Sequence, residues 1–263
     1  MTQHHLFSRS PVLTGNNSQA TRQELLHYFL DTFDRYESLF DCLANQEAYF
    51  KKPISLRHPL IFYLGHTATF FVNFLLLVHL VDQRITPRFA SMFAVGVDEM
   101  SWDDLNDAHY DWPSVSEVKA YRQQVRNLVS QLILESPLTL PINWQNPWWA
   151  IIMGIEHERI HLETSSVLIR QHDLSYVKNH PAWQPCRQTG AAPNNQLVAI
   201  EQGQVNLGKP KDNDFYGWDN EYGQHQADIA PFEASRYLVS NQEFLAFVEA
   251  QGYQQTEYWT QEG

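Results

Sequence analysis

The sequence predicts an α-helical bundle of four long helices followed by the beginning of a smaller α+β domain. Apolar residues recur at helical spacing along most of the chain up to Gln171. One segment of 24 residues, His58–Val81, contains no Asp, Glu, Lys or Arg and reads as a helix buried within the bundle. Beyond Leu174 the character changes to Pro, Gly and Asn, and then to short alternating segments. These three observations divide the chain into an arm (1–19), a helical domain (20–180), a linker (181–194) and the start of a second domain (195–263).

The first helix is expected to open at Thr21, with Glu24 completing a capping box, and to bury Leu25, Leu26, Phe29, Leu30, Phe33, Tyr36 and Leu39. The uncharged segment is the second helix. An acidic loop follows, and Pro113 and Ser114 start the third helix. Its buried face carries Val115, Val118, Tyr121, Val125, Leu128, Val129, Leu132 and Ile133, and Pro137 and Pro141 end it. The fourth helix runs from Pro147 to Gln171. Four such helices read as a bundle. In the second region, LVAIEQGQVNLG is expected to form a hairpin turning at Gly203, and a short helix capped by Ser240 with Glu243 follows.

Composition narrows the function. With 43% hydrophobic, 13% aromatic and only 18% charged residues, the chain is globular rather than disordered. A net charge of −12 argues against nucleic acid as a partner, because phosphate binding needs surplus Lys and Arg. Two cysteines, Cys42 and Cys186, cannot make a disulfide framework. With an N-terminus lacking a signal pattern, they point to the cytoplasm. The His58–Val81 segment is long enough to span a bilayer, but His66 and Asn73 well inside it favour a buried helix and no membrane partner.

Twelve histidines against four methionines direct attention to imidazole chemistry. His157 and His161 lie four residues apart in GIEHERIHLE, which sets them about 40° apart on one helix face, one turn above the other. That spacing lets two imidazoles bind one metal. Glu163 points about 160° from His161 and is rejected as third ligand. His66, deep in the uncharged helix where a partnerless imidazole is costly, is the candidate instead. Two histidines at this spacing also arise in structural helices, and a core histidine can be satisfied by a backbone carbonyl. Adding His66 favours the metal. Three neutral imidazoles suit Fe, Zn or Cu and keep coordination positions open. Small residues at Ala150 and Gly154 are expected to leave room beside the ion, and Glu156, Glu158, Glu163 and Arg159 to support the ligands or the bundle, one carboxylate fixing a tautomer. Arg122 and Arg126, four apart, could grip a substrate carboxylate, or equally lie on a solvated face paired with Glu117 or another acid. Neither cysteine has an activating neighbour.

Five stretches together, HPLIFYLGHTATFF, AVGVDEMSWDDLND, IMGIEHERIHLETSSVLIRQ, YGWDNEYG and RYLVSNQEFLAFVEAQGY, strongly resemble the ovothiol-pathway 5-histidylcysteine sulfoxide synthases, non-haem iron enzymes related to the ergothioneine sulfoxide synthases. The resemblance runs from Pro11 to Gly263. It implies a DinB-like four-helix domain supplying His66, His157 and His161 to Fe(II), followed by a formylglycine-generating-enzyme-like domain of C-type-lectin-like fold. It also implies joining of L-cysteine sulfur to the imidazole C5 of L-histidine with O2. Ile160 stands where ergothioneine-pathway relatives tend to carry Gln, which favours the ovothiol branch. The family's catalytic tyrosine is expected beyond Gly263, so the chain reads as the N-terminal part of a longer enzyme. Two other readings are a zinc-dependent DinB-like thiol transferase and a non-catalytic metal- or amino-acid-binding remnant.

Overall fold

A computed structural model describes residues 8–94, 110–184, 187 and 189–262. It divides into a helical unit, residues 1–184 with 212–216, and a second unit, residues 185–211 with 217–263. Cys186 and most of the AVGVDEMSWDDLND stretch lie outside the described residues.

The helical unit is built on α1 (Ser18–Phe40), α2 (Leu60–Leu77), α4 (Val115–Glu135) and α5 (Trp148–Arg170), with the short α3 (Pro87–Met92) between α2 and α4. Both α1 and α2 pack against α4 and α5, which puts α4 and α5 at diagonal corners. Fully buried Leu25, Phe29, Phe33, Phe71, Val125, Val129 and Ile151 fill the middle, with Phe29 meeting Phe71 edge-on at 5.5 Å. Burying each such side chain contributes about 1.5–3 kcal/mol. α2 is apolar and long enough to cross a membrane, and 72% of it is buried inside this unit. Gly154 on α5 lets the two helices close up, because the Phe71 ring fills the place a Cβ would take. The room expected beside Gly154 is therefore occupied by Phe71.

α1 begins earlier than expected. Asn17 is its cap, accepting from the Ala20 N–H at 3.1 Å. Thr21 instead lies in the first turn with its side chain buried. α4 opens on Ser114 with a full capping box from Glu117, and α5 runs between Pro147 and Gln171 as its caps. The stretch before α1 is pinned to the bundle. Leu13 is buried, its N–H donates to the Asp214 carbonyl at 2.7 Å, and its carbonyl accepts from Ile142 at 2.9 Å.

In the second unit, β1 (Leu197–Ile200) and β2 (Gly203–Leu207) do not pair with each other. β1 pairs antiparallel with β4 (Phe232–Ser235), and β2 with β3 (His225–Ile229). A two-residue hairpin at Glu201-Gln202 would need positive φ there, and neither residue adopts it. Both ladders share one register, since stepping three residues from Gly203↔Ile229 reaches Ile200↔Phe232. The interruption falls at Pro231, which has no N–H to donate. One long interrupted hairpin thus replaces the expected short one. α6 (Asn241–Glu249) is capped by Ser240 with Glu243 as expected.

Candidate metal centre

His66 on α2 meets His157 and His161 on α5, and one ring nitrogen from each lies within 4.8 Å of the other two. Nε2 of His157 is 3.2 Å from Nε2 of His66 and 3.1 Å from Nε2 of His161. A metal bonded to nitrogen at about 2.1 Å would hold its ligands about 3.0 Å apart at right angles and about 3.4 Å apart in a tetrahedron. The observed spacings fall between. Three lone pairs turned on one point also cannot all be satisfied by protons among themselves. The donor set and its geometry therefore fit a divalent transition metal, with no carboxylate in it among the described residues.

The elements that aim these rings are local. α5 supplies His157 and His161 by simple helical repeat. His66 is aimed by α3, which Pro87 starts and which ends by presenting the Phe93 carbonyl 2.6 Å from His66 Nδ1. That carbonyl accepts the Nδ1 proton and leaves the Nε2 lone pair for a metal. Phe93 reaches this position because Gly65 has no side chain, as a Cβ there would stand 2.5 Å from the Phe93 ring. Phe70 lies flat on the His157 imidazole, centroids 3.7 Å apart and planes 9° apart. Phe62 stacks on His66 at 5.2 Å.

Burial and mutual repulsion keep His157 and His161 neutral. Burial, reinforced by repulsion from His66, pushes His161 down to about 3, and burial with both neighbouring imidazoles pushes His157 down further. Neutral rings offer their lone pairs to a metal without first losing a proton at neutral pH.

The surrounding carboxylates do other work. Glu156 accepts from the Tyr28 hydroxyl at 2.7 Å and from Ser10 at 3.3 Å. Glu158 accepts from Arg122 at 2.7 Å and from Thr67 at 3.2 Å. Glu163 is exposed. Arg159 binds the hydroxyls of Thr32 and Ser8 and covers the Tyr28 ring at 4.2 Å. The tautomer of His66 is thus set by a backbone carbonyl, not by a carboxylate. Nδ1 of His157 and of His161 is buried with no hydrogen-bond partner among the described residues.

Arg122 and Arg126 do not form a clamp. Arg122 is fully buried and its guanidinium is taken up by Glu37, Leu64, Thr67 and Glu158, so it is neither a substrate grip nor part of a solvated face. Two carboxylates raise its affinity for its proton against the cost of burial. Arg126 pairs with Asp34 at the surface. The Arg122 role had a signal in the sequence: Val118, Arg122, Val125 and Val129 lie on one helical stripe, so the arginine interrupts an apolar face. The parts played by Phe93 and Phe70 carried no comparable signal. Cys42 is buried and burial raises its thiol, which keeps it unreactive.

Comparison with known proteins follows the two halves of the chain. The DinB superfamily model matches residues 28–165, and that of the sulfatase-modifying factor enzyme 1-like domain matches residues 184–263. Ergothioneine biosynthesis protein 1 of Neurospora crassa is 28% identical over 242 residues, covering 83% of this chain and 27% of that protein. Its namesake from Schizosaccharomyces pombe is 22% identical over 240 residues, covering 78% of this chain and 30% of that protein. The chain thus covers under a third of the length of either relative.

Proposed function

This chain belongs to the DinB superfamily, and from that premise we propose that it is the iron-binding part of a sulfoxide synthase joining the sulfur of L-cysteine to the imidazole C5 of L-histidine. The observation that carries the reading is the triangle of His66, His157 and His161, formed in a DinB-like domain that leads into a sulfatase-modifying-factor-like one. Fe(II), held by these three side chains, would supply the reduction of O2. The thiol S–H and the ring C5–H are lost, one C–S bond forms, one oxygen atom ends on sulfur and the other leaves as water.

The chain's own residues provide the setting. Three neutral donors leave the charge of a divalent ion uncompensated, which favours a thiolate over a thiol next to it. They also leave positions for two substrates, whose common attachment is a proximity effect. Phe70 covers one face of His157 and Phe62 one face of His66, which limits water around the rings. The Phe93 carbonyl keeps the His66 proton on Nδ1. Two cysteines in 263 residues support a reducing, cytoplasmic setting.

The names of the two relatives favour a second reading, in which the imidazole substrate is the histidine betaine skeleton of ergothioneine. Ile160 in place of Gln favours plain histidine. The test is anaerobic loading with Fe(II), then oxygen uptake and mass analysis with cysteine plus either histidine or its betaine. Oxygen uptake with a histidine–cysteine sulfoxide product supports the proposal, and the betaine product alone supports the second reading. Zinc retention and thiol transfer without oxygen uptake would replace both with a transferase. Iron binding without any product would limit this chain to the iron-binding role, and absence of iron binding would overturn the proposal.

A further inference from the structure

The ligand triangle spans two helices, and only one of its edges is set by a single helix. His157 and His161 are one turn apart on α5, so their separation follows from helical geometry. The 3.2 Å edge from His66 to His157 depends on how α2 lies against α5. Apolar burial sets the distance between helices but is non-directional. Something directional is needed to fix their relative register.

Arg122 meets that need. From α4 its Nε donates to Glu37 of α1 at 2.8 Å, and its Nη1 donates to the Leu64 carbonyl and the Thr67 hydroxyl of α2 at 3.0 and 2.8 Å. Its Nη2 donates to Glu158 of α5 at 2.7 Å. The guanidinium carbon lies 4.0 Å over the Phe33 ring of α1. Thr67 closes the network by donating to the same Glu158 oxygen. These contacts bracket the ligands in sequence, since Leu64 and Thr67 flank His66 and Glu158 follows His157. Buried ionic networks of this kind are a poor source of net stability, since well-packed apolar residues often do as well. We propose that Arg122 is a positioning residue for the metal centre, its planar fork fixing α2 against α5 and so the distance between the His66 and His157 nitrogens. This rests on the metal-centre reading of the triangle.

The test uses the full chain and Co(II) as a coloured probe. Wild type, Arg122→Lys and Arg122→Met are compared by circular dichroism, Co(II) affinity and Co(II) absorption at saturation. Arg122→Lys keeps the charge but not the fork, so both variants are expected to bind roughly tenfold to a hundredfold more weakly and with altered bands. A role confined to stability would shift the melting temperature and leave the saturated spectrum at wild type. Folded variants with wild-type affinity and bands would overturn the proposal. If neither Arg122 variant folds, Thr67→Val carries the test. It removes one hydroxyl from the network, should weaken binding and alter the bands, and overturns the proposal if both are unchanged. Absence of Co(II) binding by wild type would overturn the metal-centre reading itself and this inference with it.

Discussion

The Phe93 carbonyl sits 2.6 Å from His66 Nδ1, so a residue closing a six-residue helix decides which nitrogen of a deeply buried imidazole carries the proton. The Phe93 ring and carbonyl reach α2 together because position 65 is glycine. Gly65→Ala would put a methyl carbon against that ring, and the overpacking should cost about 1–3 kcal/mol. It should also weaken metal binding, because the carbonyl moves with the ring. Thermal melting with and without chelator, beside a metal titration, checks both effects.

Removal of a ligand is expected to act differently. His157→Ala and His161→Ala should each reduce bound iron from one per chain to near zero while helicity is retained. Metal analysis after gel filtration decides it, and stoichiometric iron in either variant contradicts the site.

The two arginines of α4 should differ sharply in stability. Arg122→Ala strands the buried carboxylate of Glu158, and breaking a buried pair in this way costs about 3–5 kcal/mol. Arg126→Ala breaks a pair with the exposed Asp34 and should cost about 0–1 kcal/mol. Urea denaturation of the two variants, compared by midpoint, measures the contrast.

Acid should destabilise the metal-free chain early. His157 and His161 titrate lower when folded than the ordinary value of 6.5, so the unfolded chain takes up protons first as pH falls. Stability is therefore full above pH 6.5 and is lost from there down towards pH 3. Each imidazole contributes about 1.4 kcal/mol per pH unit in that window. Urea midpoints at pH 7 and pH 5 check the sign, and a His157→Phe, His161→Phe double variant should flatten the dependence. A wild-type midpoint that does not fall between pH 7 and 5 contradicts the assignment.

Much of the helical architecture could be read from the residues, and the reasons for the misses are specific. The His157–His161 pair and the Ser114–Glu117 and Ser240–Glu243 caps depend on spacings of three or four residues, which one helical turn enforces. The cap of α1 is ambiguous in the sequence because Thr21 and Asn17 both carry capping chemistry. The buried position of Thr21, a tertiary fact, decides between them. The strand pairing failed for a similar reason, since β1 has its partner 35 residues on and local alternation is silent about that. Arg122 reads from sequence as a surface or substrate group because its acceptors lie on three other helices. The tautomer of His66 depends on a backbone carbonyl, which has no residue-type signature at all.

The Leu13–Asp214 hydrogen bond has a practical consequence. Residues 212–216 belong to the helical unit although they follow its last helix by some forty positions. A cut in the gene at residue 184 is therefore not a cut in the structure. A helical piece expressed alone would lose the hydrogen-bond partner of its own N-terminal stretch, and splitting this protein for separate study requires keeping that short return with the first half.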